Sequence, residues 1–282
     1  MSGGRNTPRL EALDAGARRQ LGAFVEAVDA LAPGRLEGLY LYGSAALGDY
    51  RRGQSDLDVV AVSTSPWTSD VLDGLAAVHA RLAGDPTLPA LDALYATWAE
   101  LCADPAVAVA PGALGGVLQA RGAFDANWAV WETLRRHPLR LRGPGRPAVA
   151  HDADGLRAFC LANLQTYWLP LASRAEAALE ARPEAGAATL SWCVPGVLRL
   201  AYTIGLGDIA SKSAALGWGL EHADKRWRPL LRRALALRQG GDDPDPGGAG
   251  AIGPDGVGAF MRHVVDTART TAVACARPAG RR

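Results

Sequence analysis

The chain has 282 residues, 49% apolar and 21% charged, with a formal net charge of +1; single hydrophobic cores stop growing at roughly 250 residues, so two globular domains are expected. Lys and Arg are spread along the chain, which excludes the clustered basic surface that a dedicated nucleic-acid binder needs for counterion release. No apolar run approaches the ~18 residues of a membrane span, and the opening MSGGRNTPRLEALDAG lacks the hydrophobic core of a signal peptide, so a cytoplasmic protein without a membrane partner is expected.

From Leu10 to Leu31 apolar residues recur at helical spacing until Pro33-Gly34 stops them, which predicts an amphipathic first helix. LEGLYLY, LDVVAVST and LDALYAT are short, rich in Val, Leu and Tyr, and bounded by turn formers. They read as strands, with a helix over Asp70 to Leu82 between the second and third. Helix, strand, strand, helix, strand predicts a small mixed sheet with helices packed on it. Ala103 to Gly122 is small-residue rich and broken by Pro105 and Pro111, so an irregular passage is expected there. A helix follows over Phe124 to His137.

Gly143-Pro144-Gly145 and Pro147 mark the best domain boundary, giving domains 1–145 and 146–282. Beyond it Asp154 to Ala181, Val194 to Leu206, Ile209 to His222, Asp224 to Gln239 and Gly256 to Arg277 all carry helical periodicity, which predicts a bundle, with Pro170 kinking or ending the first of these helices. Gly240 to Gly256 has little to bury and reads as a flexible loop. Cys102, Cys160, Cys193 and Cys275 lack metal or redox spacing, so reduced thiols are expected. The fold class is therefore α+β: a mixed-sheet domain followed by an all-α bundle.

The chemistry concentrates in LYLYGSAALGDYRRGQSDLDVVAVSTS, Leu39 to Ser65. Residues two apart on a strand share a face, so Asp56 and Asp58 aim two carboxylates at one point while Leu57 and Val59 turn to the core. Bare, they repel; a divalent cation between them removes the repulsion. Mg²⁺ suits a site with few protein carboxylates because it keeps waters and takes phosphate oxygens. Upstream, Gly43-Ser44 closes a strand and opens a short helical turn whose N–H groups and hydroxyl can hold phosphate, with Gly43 letting the main chain approach. Asp92, on the third strand, is the candidate for a third carboxylate, which would complete a two-metal site or take a proton from an attacking hydroxyl. The five histidines show no i, i+4 pair, which argues against zinc.

GSAALGDYRRGQSDLDVV resembles the Gly-Ser, spacer, Asp-x-Asp signature of the polymerase-β-like nucleotidyltransferases. The layout of the chain, with its helical second half, is similar to the aminoglycoside (3'')(9)-O-adenylyltransferases, which adenylylate streptomycin and spectinomycin. VLRLAYTIGLGDIASKSAALGW, Val197 to Trp218, resembles the bundle segment in which that family sets an Arg and a Lys against the ATP phosphates; Arg199 and Lys212 are the matching positions. The resemblance implies Ser44 as phosphate contact, Asp56 and Asp58 as metal ligands and Asp92 as catalytic base. The family has Glu at that last position, one methylene longer, so the strand must sit closer here or a water must bridge.

Of the family's drug-contacting Trp and Asp in the bundle, this chain matches only Trp168. The implied enzyme is a monomer using ATP and two Mg²⁺ ions on a cationic, sugar-like acceptor held between its domains, an antibiotic-resistance activity. Two alternatives stay open on the residues: the same chemistry on another metabolite or a protein hydroxyl, and a non-catalytic, antitoxin-like nucleotide-binding module, against which retention of all three acids speaks.

Overall fold

A computed structural model of the chain describes residues 10–123, 125–243, 253 and 256–276. The chain forms two compact units, Met1–Asp152 and Ala153–Arg282.

In the first unit, helix α1 (Ala15–Leu31) starts where the Asp14 carboxylate accepts from the Gly16 and Ala17 N–H groups. That cap takes up two orphan donors and so sets the start later than Leu10, which lies in a short 3₁₀ turn. Strand β1 (Gly38–Leu41), turn helix α2 (Gly43–Ala46), strand β2 (Leu57–Ser63), helix α3 (Ser69–Ala83) and strand β3 (Leu91–Thr97) follow. The three strands and α3 agree with the pattern of the sequence.

Helix α4 (Trp98–Leu101) opens on a capping box between Thr97 and Glu100. The passage expected to be irregular instead contains a hairpin, β4 (Gly112–Leu114) and β5 (Val117–Gln119). Helix α5 (Trp128–Arg136) starts at its Asn127 cap, inside the helix expected from Phe124, a residue outside those described. Strand β6 (Leu139–Arg142) closes the set, just ahead of the Gly143-Pro144-Gly145 run and in a stretch to which the sequence pattern assigned no element.

The sheet runs β5-β4-β3-β2-β1-β6, with β2 and β3 parallel and the other neighbours antiparallel. Alternation divides its side chains between two cores. Leu39, Leu41, Leu57, Val59, Ala61, Ala93 and Tyr95 meet Leu21, Phe24 and Val28 of α1 and Leu75 and Val78 of α3. On the other face Tyr40, Tyr42, Val60, Val62, Leu94 and Ala96 meet Val130, Trp131 and Leu134 of α5. Both faces of β3 are thus covered, so every one of its residues is buried.

Among its described residues the second unit is built from helices: α6 (Ala153–Asn163), α7 (Leu169–Ala181), α8 (Gly186–Leu206), α9 (Lys212–His222), α10 (Arg228–Arg238) and α11 (Val257–Ala276). Pro170, which has no N–H, sits in the first turn of α7, and the helix widens ahead of it into a π turn over Leu164–Trp168. This is the expected kink in its low-cost form, since the wider turn absorbs the missing donor. Helix α8 packs against α6, α9, α10 and α11. At Gly196 a Cβ would stand 2.2 Å from the Trp168 ring, so the indole fills the space that glycine leaves.

Most of the loop expected over Gly240 to Gly256, and Arg277 at the end of the last expected helix, lie outside the described residues. No helix among the described residues is long and apolar enough to cross a membrane.

Candidate active site

Strand β1 ends at Leu41, and the Tyr42 N–H still donates to the Asp58 carbonyl at 3.0 Å, tying the start of α2 to the start of β2. Gly43 follows with φ +58, and a Cβ there would lie 2.0 Å from Asp58 Oδ2. Glycine is therefore required twice, by the left-handed backbone and by the carboxylate. The Ser44 hydroxyl oxygen is buried and meets no hydrogen-bond partner among the described residues. The chain returns through a turn in which the Ser55 N–H donates to the Arg51 carbonyl and Gly53 takes φ +74. It delivers Asp56 just before β2 and Asp58 as its second residue.

In the parallel β2–β3 ladder Asp58 pairs with Asp92. Both flank residues of the α1/α3 core (Leu57, Val59, Leu91, Ala93), so both point to the opposite face. Asp56, Asp58 and Asp92 each offer an oxygen, all within 4.8 Å of one another. The shorter Asp side chain at position 92 thus reaches the other two directly. Arg199 lies on α8 and Lys212 opens α9, both half-buried in the helical unit. Trp168 is buried against Gly196.

Asp92 is 5% exposed, and its Oδ1 accepts from the Gly115 N–H at 2.8 Å. Burial pushes its carboxyl up to about 6, against the Gly115 bond, and the charges of Asp56 and Asp125 push the same way. Asp125 was not singled out in the sequence. Burial raises its carboxyl too, opposed by the Tyr42 hydroxyl, while the Asp56 charge adds to the rise. Tyr42 is likewise held well above the ordinary phenol range, by burial first and then by Asp58 and Asp125. Asp125 sits in an irregular segment with no periodicity to betray it; its one local signal is the Asn127 cap two residues on.

Four acids converge here, Asp92 buried, Asp58 and Asp125 half-buried and Asp56 exposed, and carboxylates this close together favour positive charge beside them. An all-oxygen donor set suits a hard divalent ion such as Mg²⁺. The unsatisfied Ser44 hydroxyl adds a hydrogen-bond donor beside the acids, and Gly43 lets the main chain lie directly against Asp58. The residues fit a metal and a phosphate together, a carboxylate triad typical of metal-dependent nucleotidyltransferases.

Residues 21–86 match the family described as "Nucleotidyltransferase domain". The match spans Gly43, Ser44, Asp56 and Asp58 and ends before Asp92. No curated protein matches the sequence. Among solved structures the chain is similar to the spectinomycin adenyltransferase AAD(9) from Enterococcus faecialis, solved with ATP and spectinomycin: the TM-score is 0.62 at 14% identity, covering 90% of this chain and 99% of that one. The chain therefore carries a polymerase-β-like nucleotidyltransferase domain ahead of an all-helical region, and its fold is like that of this adenyltransferase at low sequence identity.

Proposed function

We propose that the protein transfers AMP from ATP to a hydroxyl of an aminoglycoside or aminocyclitol antibiotic of the streptomycin and spectinomycin type, releasing pyrophosphate, with Mg²⁺ as cofactor. The observation that carries this reading is the convergence of Asp56, Asp58 and Asp92 within 4.8 Å, beside the glycine and the unsatisfied serine hydroxyl of the α2 turn. The likeness to a spectinomycin adenyltransferase supports the choice of acceptor.

Asp56, Asp58 and Asp92 would hold Mg²⁺, and two ions are expected from three carboxylates. Bound there, the metal supplies charge neutralisation at the phosphates. Ser44 donates its hydroxyl to a phosphate oxygen, and Gly43 keeps the main chain close. Arg199 and Lys212 are assigned to the triphosphate as cations.

Asp92 accepts the proton of the acceptor hydroxyl as that oxygen bonds to the α-phosphorus, and the bond from phosphorus to the departing pyrophosphate oxygen breaks in line. Without metal, burial pushes this carboxyl up to about 6; Mg²⁺ bound beside it would lower that value and keep the carboxylate ionised at neutral pH, able to accept a proton. The acidic setting also draws a cationic acceptor.

The test is incubation with ATP, Mg²⁺ and a panel of aminoglycosides and aminocyclitols, read by mass spectrometry. One compound should gain a single adenylyl group with the wild type and none with Asp56→Asn. A panel left unmodified would refute the assignment of acceptor, and pyrophosphate release unaffected by Asp56→Asn would refute the site.

A further inference from the structure

The register of the sheet places five residues in one row across its α5-facing side. Tyr42 adjoins Asp58 across β1 and β2, Asp58 pairs with Asp92, and the β3–β4 pairing of Ala93 with Ala113 puts Leu114 next to Asp92. Leu114 in turn pairs with Val117. Alternation agrees: Ala113 and Leu118 turn to the α1/α3 core, so Leu114 and Val117 turn to the face of the acids. The row is buried at Tyr42 (6% exposed) and Asp92 (5%) and open at its outer end, 61% at Leu114 and 66% at Val117.

The outer end of this row is firmly held. Gly115 and Gly116 form a two-residue turn, both with positive φ, as a tight I′-type hairpin requires. The Gly115 N–H is bonded to Asp92, and at Gly116 a Cβ would stand 2.5 Å from Ala83 Cβ of α3. Two apolar side chains are thus presented to solvent on a turn fastened to the proposed base.

The row also has a direction. Gly43 and Ser44, proposed to meet the phosphates, stand on the Tyr42 and Asp58 side, which leaves an attacking hydroxyl to approach from the side of Leu114 and Val117. There the Gly115 N–H holds Oδ1 of Asp92, and its other oxygen would take the proton. Neighbouring strands lie about 4.8 Å apart, so Leu114 and Val117 together match the width of one six-membered ring. A protein partner would need on the order of 1,000 Å², far more than two side chains offer.

We propose that Leu114 and Val117 form an apolar ledge on which the acceptor lays the C–H face of its hydroxylated ring, so that one ring hydroxyl reaches Asp92. The two residues then select for acceptors with an apolar ring face next to the reacting hydroxyl. This rests on the adenylyltransferase reading above.

The test is steady-state kinetics of Leu114→Thr/Val117→Thr with streptomycin and spectinomycin as acceptors. Threonine keeps the strand preference of the hairpin while making the ledge polar. The KM for the acceptor should rise about tenfold, the low end of what lost apolar contacts cost in a pocket, with kcat and the KM for ATP within about twofold of wild type. An unchanged acceptor KM in an active double variant overturns the ledge and leaves adenylyl transfer standing. A wild-type dimer that dissociates in the variant, with acceptor KM unchanged, overturns it in favour of pairing between two copies at the β5 edge. A wild type that adenylylates neither compound overturns the function proposed for this acceptor class, and the ledge with it.

Discussion

Glu132 on α5 and Asp92 on β3 are carboxylates of the same unit, 2% and 5% exposed, and burial acts to raise both. At Glu132 that effect is outweighed by hydrogen bonds from Arg135 and Arg136, with His151 also in contact, and the carboxyl is held at about 2. At Asp92 the one bond from Gly115 is outweighed by burial and by Asp56 and Asp125, and the carboxyl rises to about 6. The first acid has its cations built into the next turns of its own helix. The second faces other acids, and its raised carboxyl is the kind of perturbed group that marks a candidate ligand site rather than an ion pair of the fold.

The largest effect is expected at Asp92 itself. Asp92→Asn keeps an acceptor for the Gly115 N–H but cannot take a proton, so kcat should fall about 10²- to 10⁴-fold with the circular dichroism spectrum unchanged. A loss under about tenfold would remove the residue from the chemistry.

Glu132→Gln should act on stability instead. Removing one partner of a buried ion pair costs about 3–5 kcal/mol, and because both arginines are about a third exposed the expected loss is about 2–3 kcal/mol at pH 7 by urea unfolding. Its folded carboxyl is depressed, so this stability is present above pH 4.5 and disappears as the pH falls toward 2. Activity of the folded fraction should be unchanged.

The sign reverses for Asp92 in metal-free protein. With its folded carboxyl raised from 3.8 to about 6, it binds a proton more tightly when folded, so its penalty is absent below pH 3.8 and complete above pH 6. Asp92→Asn should therefore stabilise the metal-free protein by about 1–2 kcal/mol at pH 8, a gain that vanishes near pH 4. Equal stability of variant and wild type at pH 8 would mean that Asp92 already has an internal cation. The smallest effect is expected at Asp125, where Asp125→Asn should stabilise metal-free protein by under about 1 kcal/mol at pH 8 and let Asp92 titrate at lower pH.

How much of this was legible follows from what periodicity can carry. Asp56 and Asp58 flank the first residue of the seven-residue strand Leu57–Ser63, long enough to show alternation, and Asp92 lies in another of the same length. Strands β4 and β5 have three residues each, too few for a pattern, and their pairing depends on β3 and on the Gly115-Gly116 turn. The hydrogen bond to Asp92 and the exposed Leu114 and Val117 were hidden for that reason. Asp125 is brought to the acids by packing of its loop, where Ala123 lies against Gly112, and no local preference encodes that approach. The π turn before Pro170 was visible only as a proline that had to disturb a helix.

On the reading proposed above, Asp56, Asp58 and Asp92 grip a divalent cation together with a nucleotide triphosphate. Calorimetric titration of ATP into wild-type protein and Asp58→Asn, each with Mg²⁺ and with excess chelator, tests it directly. ATP should bind the wild type only when Mg²⁺ is present and should bind Asp58→Asn at least tenfold more weakly, whereas ATP binding of equal strength in chelator, or in the variant, would contradict the account.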